Sequence, residues 1–589
     1  MLIKFTSNRF TFIIAGILLT VMFFLAVFSM KEDSVTMDEV AHLPAGYSYL
    51  TQKDIRLNPE HPPLLKDLAA APLLFIKEIN FPSEIKDWTE NINGQWGFGY
   101  HFLYHDGNPA DEMIFLGRFP IILILILLGF FIFKWAREIF GNGVALLALF
   151  LFSFSPTFIS HGRLVTTDVG AAAGIFIASY YFIKALQKPT KKNIIFSGVS
   201  FGLAELCKFS VILLIPFFIF LGLTWWLIKS GGLKQTLKSL VMIFIIGYLL
   251  IWPVYQYHIW NYPPEKQAED FKFFLSAYPD FIQKPLIWAV EKPILRPYAQ
   301  YLTGLLMVFH RAAFGHTTYF LGEISNLGWK NYFPIVYLIK EPLPLHILTL
   351  LAILYAAWLI KEPFWRSTFP RVKNWIKKHF PEFAMILFIG IYWAVSLTSN
   401  LNIGVRHLLP VFPFIMILVS AVTMNWLTSA SKFGPGMRLK YLFLAVLILW
   451  QAISVLKIYP HFLAYFNELA QGPDNGYIYT VDSNLDWGQD LKRLEKWVAA
   501  NKIDKIYVDY FGGGDAEYYL KEKFVPWWGQ RNPAEFSKGN YLAVSATLLQ
   551  GGRGNPVSGF DQPCGYYRWL DRYQPIEKIG YSIFIYYIE

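Results

Sequence analysis

Charge is scarce in this 589-residue chain: 16% of residues are Asp, Glu, Lys or Arg, against about a quarter in a soluble domain. With 54% hydrophobic and 18% aromatic residues, too few polar side chains remain to cover a water-soluble fold. Composition therefore points to the bilayer as the solvent. Cysteine is almost absent. Cys207 and Cys564 are the only two, which excludes a disulfide framework and a cysteine-based metal site. The formal charge is +10, yet no water-soluble segment carries a Lys/Arg-rich block with interleaved aromatics, so nucleic acid is not an expected partner. Internal repeats and low-complexity tracts are also missing.

What is present is a series of long apolar runs. They lie at about 10–29, 114–133, 144–160, 169–186, 194–208, 211–228, 239–257, 343–360, 383–399, 408–428 and 441–457, which predicts about eleven transmembrane helices. The first, Phe10 to Ser29, is roughly 30 Å long as a helix. Its Ala26-Val27-Phe28 is a poor cleavage site, so it reads as an uncleaved anchor. Alternate short loops are basic: Lys4 and Arg9; Lys134 and Arg137; Lys184, Lys188, Lys191 and Lys192; Lys229, Lys234 and Lys238; Lys361, Arg366, Arg371, Lys373, Lys377 and Lys378; Lys432, Arg438 and Lys440. The opposite loops hold single basic residues, Arg163, Lys208 and Arg406. The positive-inside rule then places the N-terminus in the cytoplasm of a multi-pass protein of the cell (plasma or inner) membrane, and the C-terminus outside.

Two outer segments, roughly 31–112 and 258–342, are too long to be simple connectors. The second is expected to carry helices lying in the interface, over Tyr298 to Phe314 and Tyr332 to Lys340. After about residue 458 the pattern changes. Strands are expected at Tyr477–Val481, Lys505–Phe511, Tyr541–Leu548 and Ile579–Ile588. Helices are expected at Asp490–Ala500, with Leu491, Leu494 and Val498 on one face, and from Asp515. The expected fold is an α-helical polytopic membrane region over 1–457 followed by an extracytoplasmic α/β domain over 458–589.

The first outer segment opens with Asp38-Glu39-Val40-Ala41-His42. On a helix, Asp38 and His42 are i,i+4 neighbours, and such carboxylates can take a proton from a hydroxyl or hold a metal. The same cluster is also what a helix N-terminus favours. Next comes Asn58-Pro59-Glu60-His61-Pro62-Pro63, whose prolines hold His61 extended before a helix; many helices begin this way. Arg163, Lys208 and Arg406 lie at outer helix ends and Arg118 about one turn into a span. An anionic phosphate at the outer leaflet would account for them, as would snorkelling to headgroups. Gly198 and Gly202 form a small-xxx-small helix-packing motif. Gly512-Gly513-Gly514 reads as a chain-reversing loop after a strand.

Asp38-Glu39 after the first helix, with His61-Pro62-Pro63-Leu64 in the same loop, resembles the protein O-mannosyltransferase family. That family groups with the lipid A aminoarabinose transferases among membrane glycosyltransferases of the GT-C fold. The Arg163…Asp168 loop, the Gly202…Lys208 span and the segment Asn402 to Pro410 are also similar to these enzymes and to bacterial phospholipid-carrier-dependent glycosyltransferases. The resemblance covers roughly residues 10–430. It implies a polyprenyl-phosphate sugar donor and an inverting transfer on the non-cytoplasmic face. It implies Asp38 as general base with Glu39 beside it, His61 and Asp168 lining the site, and Arg163, Lys208 and Arg406 on the donor phosphate. Some relatives use a divalent metal, for which His42, Glu60 and His61 are the candidates, although no spacing demands one; no other cofactor is implied. The eukaryotic β-trefoil insertion is missing, which leaves the acceptor open between a protein hydroxyl, lipid A and another envelope glycan. The sugar is open too.

Two other classes compete. A transporter or flippase of a polyprenyl-linked lipid would show repeated halves and midplane charges, whereas here the unusual charges lie at the outer boundary. A non-catalytic envelope assembly protein would use its outer domain to bind a partner.

Overall fold

The computed structural model describes residues 8–229, 232–360, 368–429 and 435–589. Lys4, Lys361, Arg366 and Lys432, which entered the charge pattern, lie outside the described residues. Among the described residues, eight helices are long and apolar enough to cross a membrane. A ninth span results if Tyr332–Lys340 and Leu343–Trp358, which meet at 114°, are one broken crossing. The spans are Asn8–Ser29, Ala110–Phe140, Asp168–Gln187, Phe209–Ile228, Leu233–His258, Phe380–Thr398, Val405–Thr428 and Met437–Lys457. Their outward faces carry Phe12, Ile13, Leu123, Leu249 and Leu442, all exposed, as lipid contact requires.

Length and composition thus fall short of the expected eleven. The run 144–160 breaks at Phe154. Its first part is the 12-residue helix Asn142–Ser153; Ser155 then caps a separate helix, Pro156–His161, by accepting from the Phe158 amide. The run 194–208 is carried by Lys191–Glu205, 15 residues long. That helix packs closely on Leu233–His258 through its small residues: a Cβ on Gly202 would lie 2.7 Å from the Gly247 carbonyl oxygen.

The segment 31–112 folds over one end of this bundle. Thr36 and Glu39 form a capping box that starts the helix Met37–Gln52, satisfying two orphan backbone donors. The turn Asn58 to Pro63 then leads into Leu64–Ala70. The segment 258–342 adds Pro264–Phe274, Asp280–Val290 and Arg296–Phe314, then a hairpin of β1 (Thr318–Phe320) and β2 (Glu323–Ser325).

Beyond the last span come β3 (Ile506–Asp509), β4 (Phe524–Pro526), β5 (Asn540–Ser545), β6 (Asn555–Pro556), β7 (Glu577–Ile579) and β8 (Ile583–Ile588). One sheet runs β4-β3-β5-β8-β7. β3 is parallel to both its neighbours, while β5 to β8 and β8 to β7 are antiparallel. β6 instead joins β2. The helix Leu491–Ala500 buries Leu491, Leu494 and Val498. These side chains share one hydrophobic cluster with Val40, Leu43, Leu103 and Met113, so the region after residue 458 packs into the segment 31–112. The strand expected at Tyr477–Val481 is a short helix, Gly476–Tyr479, followed by a single bridge from Thr480 to Phe320. Five apolar-rich residues are too few for their period to separate the two forms.

Candidate functional site

Adjacent residues on a helix point about 100° apart, and this decides the fates of Asp38 and Glu39. Glu39 turns inward. It is fully buried, accepts from Arg118 Nε at 2.8 Å and Nη2 at 2.6 Å, and takes the backbone amides of Thr36 and Val165, both at 2.9 Å. Glu39 is therefore a structural pin, away from the cavity described next, and the expectation that it stands beside Asp38 at the reacting centre is corrected.

Asp38 turns the other way, to Arg406 Nη1 at 2.7 Å. Arg406 Nη1 also meets Asp168 Oδ2 at 3.2 Å, and Asp168 Oδ1 accepts from Lys208 Nζ at 2.6 Å. Lys208, Asp168, Arg406 and Asp38 thus form one row of alternating charge. Burial pushes the Asp38 carboxyl up, but the Arg406 guanidinium outweighs it and holds the group below the usual aspartate range.

The row borders a cavity of about 230 Å³. Asp38, His42, Glu60, His61, Lys208 and Arg406 line its polar side, together with Gln95, Arg311 and His407; Phe209, Leu213, Phe309, Val395 and Leu401 line the rest. His42 stands one helical turn after Asp38. Its Nδ1 donates to the Val165 carbonyl at 3.0 Å, and burial lowers its pKa; the neutral ring therefore keeps Nε2 as an acceptor. The His61 ring meets His42 edge-to-face at 5.2 Å, and its buried Nδ1 has no hydrogen-bond partner among the described residues. Burial pushes His61 well below the ordinary histidine value.

Lys66 fixes the turn that carries His61. It is buried and donates to the Tyr49 hydroxyl, to the carbonyls of Asn58 and His61, and to Asn58 Oδ1, at 2.7–2.9 Å. Glu60 accepts from Gln95 at 3.2 Å and lies 3.4 Å from Arg311 Nη1. His42, Glu60 and His61 all reach the cavity without converging as a ligand set, and no cluster of three His, Cys, Asp or Glu suited to a metal occurs among the described residues.

Arg163 departs from expectation. It is buried against Asp33, Nη2 to Oδ2 at 2.8 Å, and does not line the cavity. Asp33 also holds Arg493 at 2.8 Å, which makes a buried ionic link between the loop and the C-terminal region. Sequence reasoning missed Lys66 and Arg311 as well as Ser483 and Trp487, both of which touch Arg406. Lys66 alone had a local signal, four residues after Pro62.

Residues 110–260 match the family model described as dolichyl-phosphate-mannose-protein mannosyltransferase. Among solved structures, the apo Archaeoglobus fulgidus oligosaccharyltransferase aligns at a TM-score of 0.50 and 12% identity, over 90% of this chain and 65% of that one. The chain therefore spans about two thirds of that protein's length. ArnT from Cupriavidus metallidurans, bound to undecaprenyl phosphate, aligns over 98% of both chains at a TM-score of 0.44 and 12% identity. No curated protein matches the chain in sequence. The chain is a multi-pass helical membrane protein with a GT-C-like fold. Its resemblance to glycosyltransferases of the O-mannosyltransferase type holds.

Proposed function

We propose that the chain is an inverting glycosyltransferase that moves a sugar from a polyprenyl-phosphate donor to an envelope or protein acceptor on the outer face of the cell membrane. The observation that carries this reading is the row Lys208–Asp168–Arg406–Asp38 beside a cavity with an extensive apolar wall. A polyprenyl phosphate is amphiphilic in the same way: its phosphate suits Lys208 and Arg406, and its isoprenoid chain suits the wall at Phe209, Leu213 and Phe309. The matched family's description names a dolichyl-phosphate donor, which supports the same class.

In this reading the acceptor oxygen attacks the anomeric carbon while the bond from that carbon to the phosphate oxygen breaks. The bonding pair leaves with the phosphate, and the acceptor proton passes to Asp38. Lys208 and Arg406 stabilise the charge gained by the leaving phosphate, in a site largely shielded from water. Asp38 is a weak base while Arg406 holds it. A donor phosphate on the free face of Arg406 brings negative charge close to Asp38 and offsets that restraint without moving the guanidinium, so the base strengthens when there is a substrate to serve. His42 Nε2 is a second acceptor on the same side. The long segments 31–112 and 258–342 and the region 458–589 stand on the outer face, with the N-terminus in the cytoplasm.

The test is transfer by purified protein in lipid nanodiscs supplied with polyprenyl-phosphate sugar. Asp38→Asn should abolish transfer, because an amide cannot take the proton, yet still bind polyprenyl phosphate. Asp38→Asn activity within threefold of wild type would remove the base role. Lipid binding by wild-type protein without sugar release would point to a carrier of the lipid instead. Mass spectrometry of the co-purifying lipid would name the sugar.

A further inference from the structure

We propose that residues 481–490, beyond the last membrane helix, form a clamp that sets Arg406 against Asp38, with Ser483 and Trp487 as positioning residues. The inference rests on the donor-phosphate role assigned to Arg406 above.

An arginine stem has several rotatable bonds, so a guanidinium that must meet a phosphate in one geometry needs to be held. Two contacts from this segment hold the guanidinium and a third holds the backbone beside it. The Trp487 ring, 2% exposed, lies under the guanidinium with its centroid 4.2 Å from Cζ, a buried cation–π contact. Ser483 Oγ accepts from Arg406 Nε at 3.1 Å and donates to the Ile403 carbonyl at 2.5 Å. Asn484 Oδ1 accepts the Val405 amide at 2.9 Å. Gly404 allows this approach: a Cβ there would lie 2.2 Å from Ser483 Oγ. With Nε on Ser483 and Nη1 on Asp38 and Asp168, Nη2 has no hydrogen-bond acceptor among the described residues. It is the nitrogen left for the phosphate.

The opposite edge of the same segment grips the start of the helix that carries Asp38. The Met37 amide donates to the Trp487 carbonyl at 3.0 Å and the Ser34 amide to the Gln489 carbonyl at 3.0 Å. Ser34 Oγ donates to the Gly488 carbonyl at 2.6 Å and accepts the Leu491 amide at 3.0 Å. Both members of the Asp38–Arg406 pair, 368 residues apart in sequence, therefore take their positions from one ten-residue stretch. That stretch is fixed to the sheet. The Asp482 amide donates to Thr547 Oγ1 at 3.1 Å, and the Thr547 amide donates to Asp486 Oδ2 at 2.8 Å. Thr547 lies in the first turn of the helix Ala546–Arg553 that leaves β5. Ser582 Oγ donates to Asp490 Oδ2 at 2.7 Å. The C-terminal region is part of the catalytic centre's construction.

The experiment compares Trp487→Leu, Trp487→Phe and Ser483→Ala with wild type, by donor kinetics and by hydrogen exchange of the peptides covering 34–40 and 403–410. Trp487→Leu should lower donor kcat/KM roughly 10–30-fold, the size of a lost desolvated cation–π contact, with Trp487→Phe recovering most of it. In Trp487→Leu and Ser483→Ala the acid limb of the pH profile should move to higher pH, because Asp38 loses the cation that holds its pKa down. A merely structural residue would not move that limb. The 34–40 and 403–410 peptides should exchange faster while the β5 peptide, 540–545, stays protected. Exchange reads the clamp even if the protein transfers no sugar, so failure of the functional reading and failure of the clamp are distinguishable. Wild-type exchange in both peptides for Ser483→Ala and Trp487→Leu would overturn the clamp, as would an unmoved pH limb in an active enzyme. If Trp487→Leu does not fold, Ser483→Ala alone decides by the same two readouts.

Discussion

Replacing Glu39 by Gln separates two roles that adjacent carboxylates can play. Glu39 accepts from Arg118 at 2.8 and 2.6 Å, from the amides of Thr36 and Val165 at 2.9 Å, and from Thr36 Oγ1 at 3.0 Å. All of this is buried, with Glu39 at 0% and Arg118 at 1% exposure. The Gln amide nitrogen cannot accept, so it would face donors where Glu39 offered an oxygen, and Arg118 would remain as a buried cation without its counter-charge. Breaking a buried pair from one side costs about 3–5 kcal/mol. The same change also loosens the capping box, worth about 1 kcal/mol. Glu39→Gln should therefore lower the thermal midpoint of the purified protein by several degrees and lower its yield, with the activity of the folded fraction largely kept. Asp38→Asn should show the reverse weighting, a smaller loss of midpoint, because the Asp38–Arg406 pair is less deeply buried (Asp38 is 23% exposed), and no transfer. Monodispersity after a temperature series, scored beside transfer per folded molecule, reads both. A Glu39→Gln protein with the wild-type midpoint and no transfer would refute the reasoning and return Glu39 to the chemistry.

Lys208→Ala should raise the donor KM roughly tenfold or more, the loss of one charge-assisted contact, and leave the acceptor KM alone; unchanged donor kinetics would favour snorkelling. Arg163→Met should lower stability without a specific effect on donor KM, because Arg163 spends its charge on Asp33; a selective rise in donor KM would restore it to the phosphate site. The folded Asp38 pKa is depressed, so its contribution to stability is present above the unfolded value of about 3.9 and lost as pH falls through the folded pKa. The gap between the thermal midpoints of wild type and Asp38→Asn should accordingly start to close as pH falls below about 4 and vanish below the folded pKa, and a constant gap would contradict that. For topology, with Cys564→Ser as background, Asn374→Cys should label only after permeabilisation and Gln530→Cys in intact cells once any outer-membrane barrier is removed. The opposite pattern would invert the orientation.

The spans were legible because a lipid-facing helix leaves a hydropathy signal that no tertiary contact has to explain. Asn8–Ser29 and Leu233–His258 are seen at once, and so are the long segments between spans. Hydropathy does not register a capped break inside an apolar run. Ser155 ends one helix and starts another while its neighbours Phe154 and Pro156 keep the average high, so 144–160 reads as one span. The number of helices was blurred for that reason, and the kind of fold was not.

The candidate site was legible where chemistry follows local spacing and illegible where it follows a partner. Asp38 and His42 face the cavity together because i and i+4 share a helical side, which the sequence states outright. Whether Asp38 or Glu39 faces the cavity depends on where Arg118 and Val165 arrive, and neither is local. Arg163 and Arg406 look alike in sequence, each a lone basic residue at a span end. They differ because Asp33 and Arg493 close a buried link around the first, while Trp487 and Ser483 hold the second at the cavity. Asp482 and Asp486 carry no local signal that separates them from ordinary solvated carboxylates at helix starts. The segment they belong to instead gives Met37 and Arg406 their places. A sequence scan weights a residue by its own chemistry, and the peptide carbonyls of 487–489 that hold Ser34 and Met37 have no side-chain signature to find. That is why the contacts by which this region holds the start of the Asp38 helix leave so little trace in the sequence.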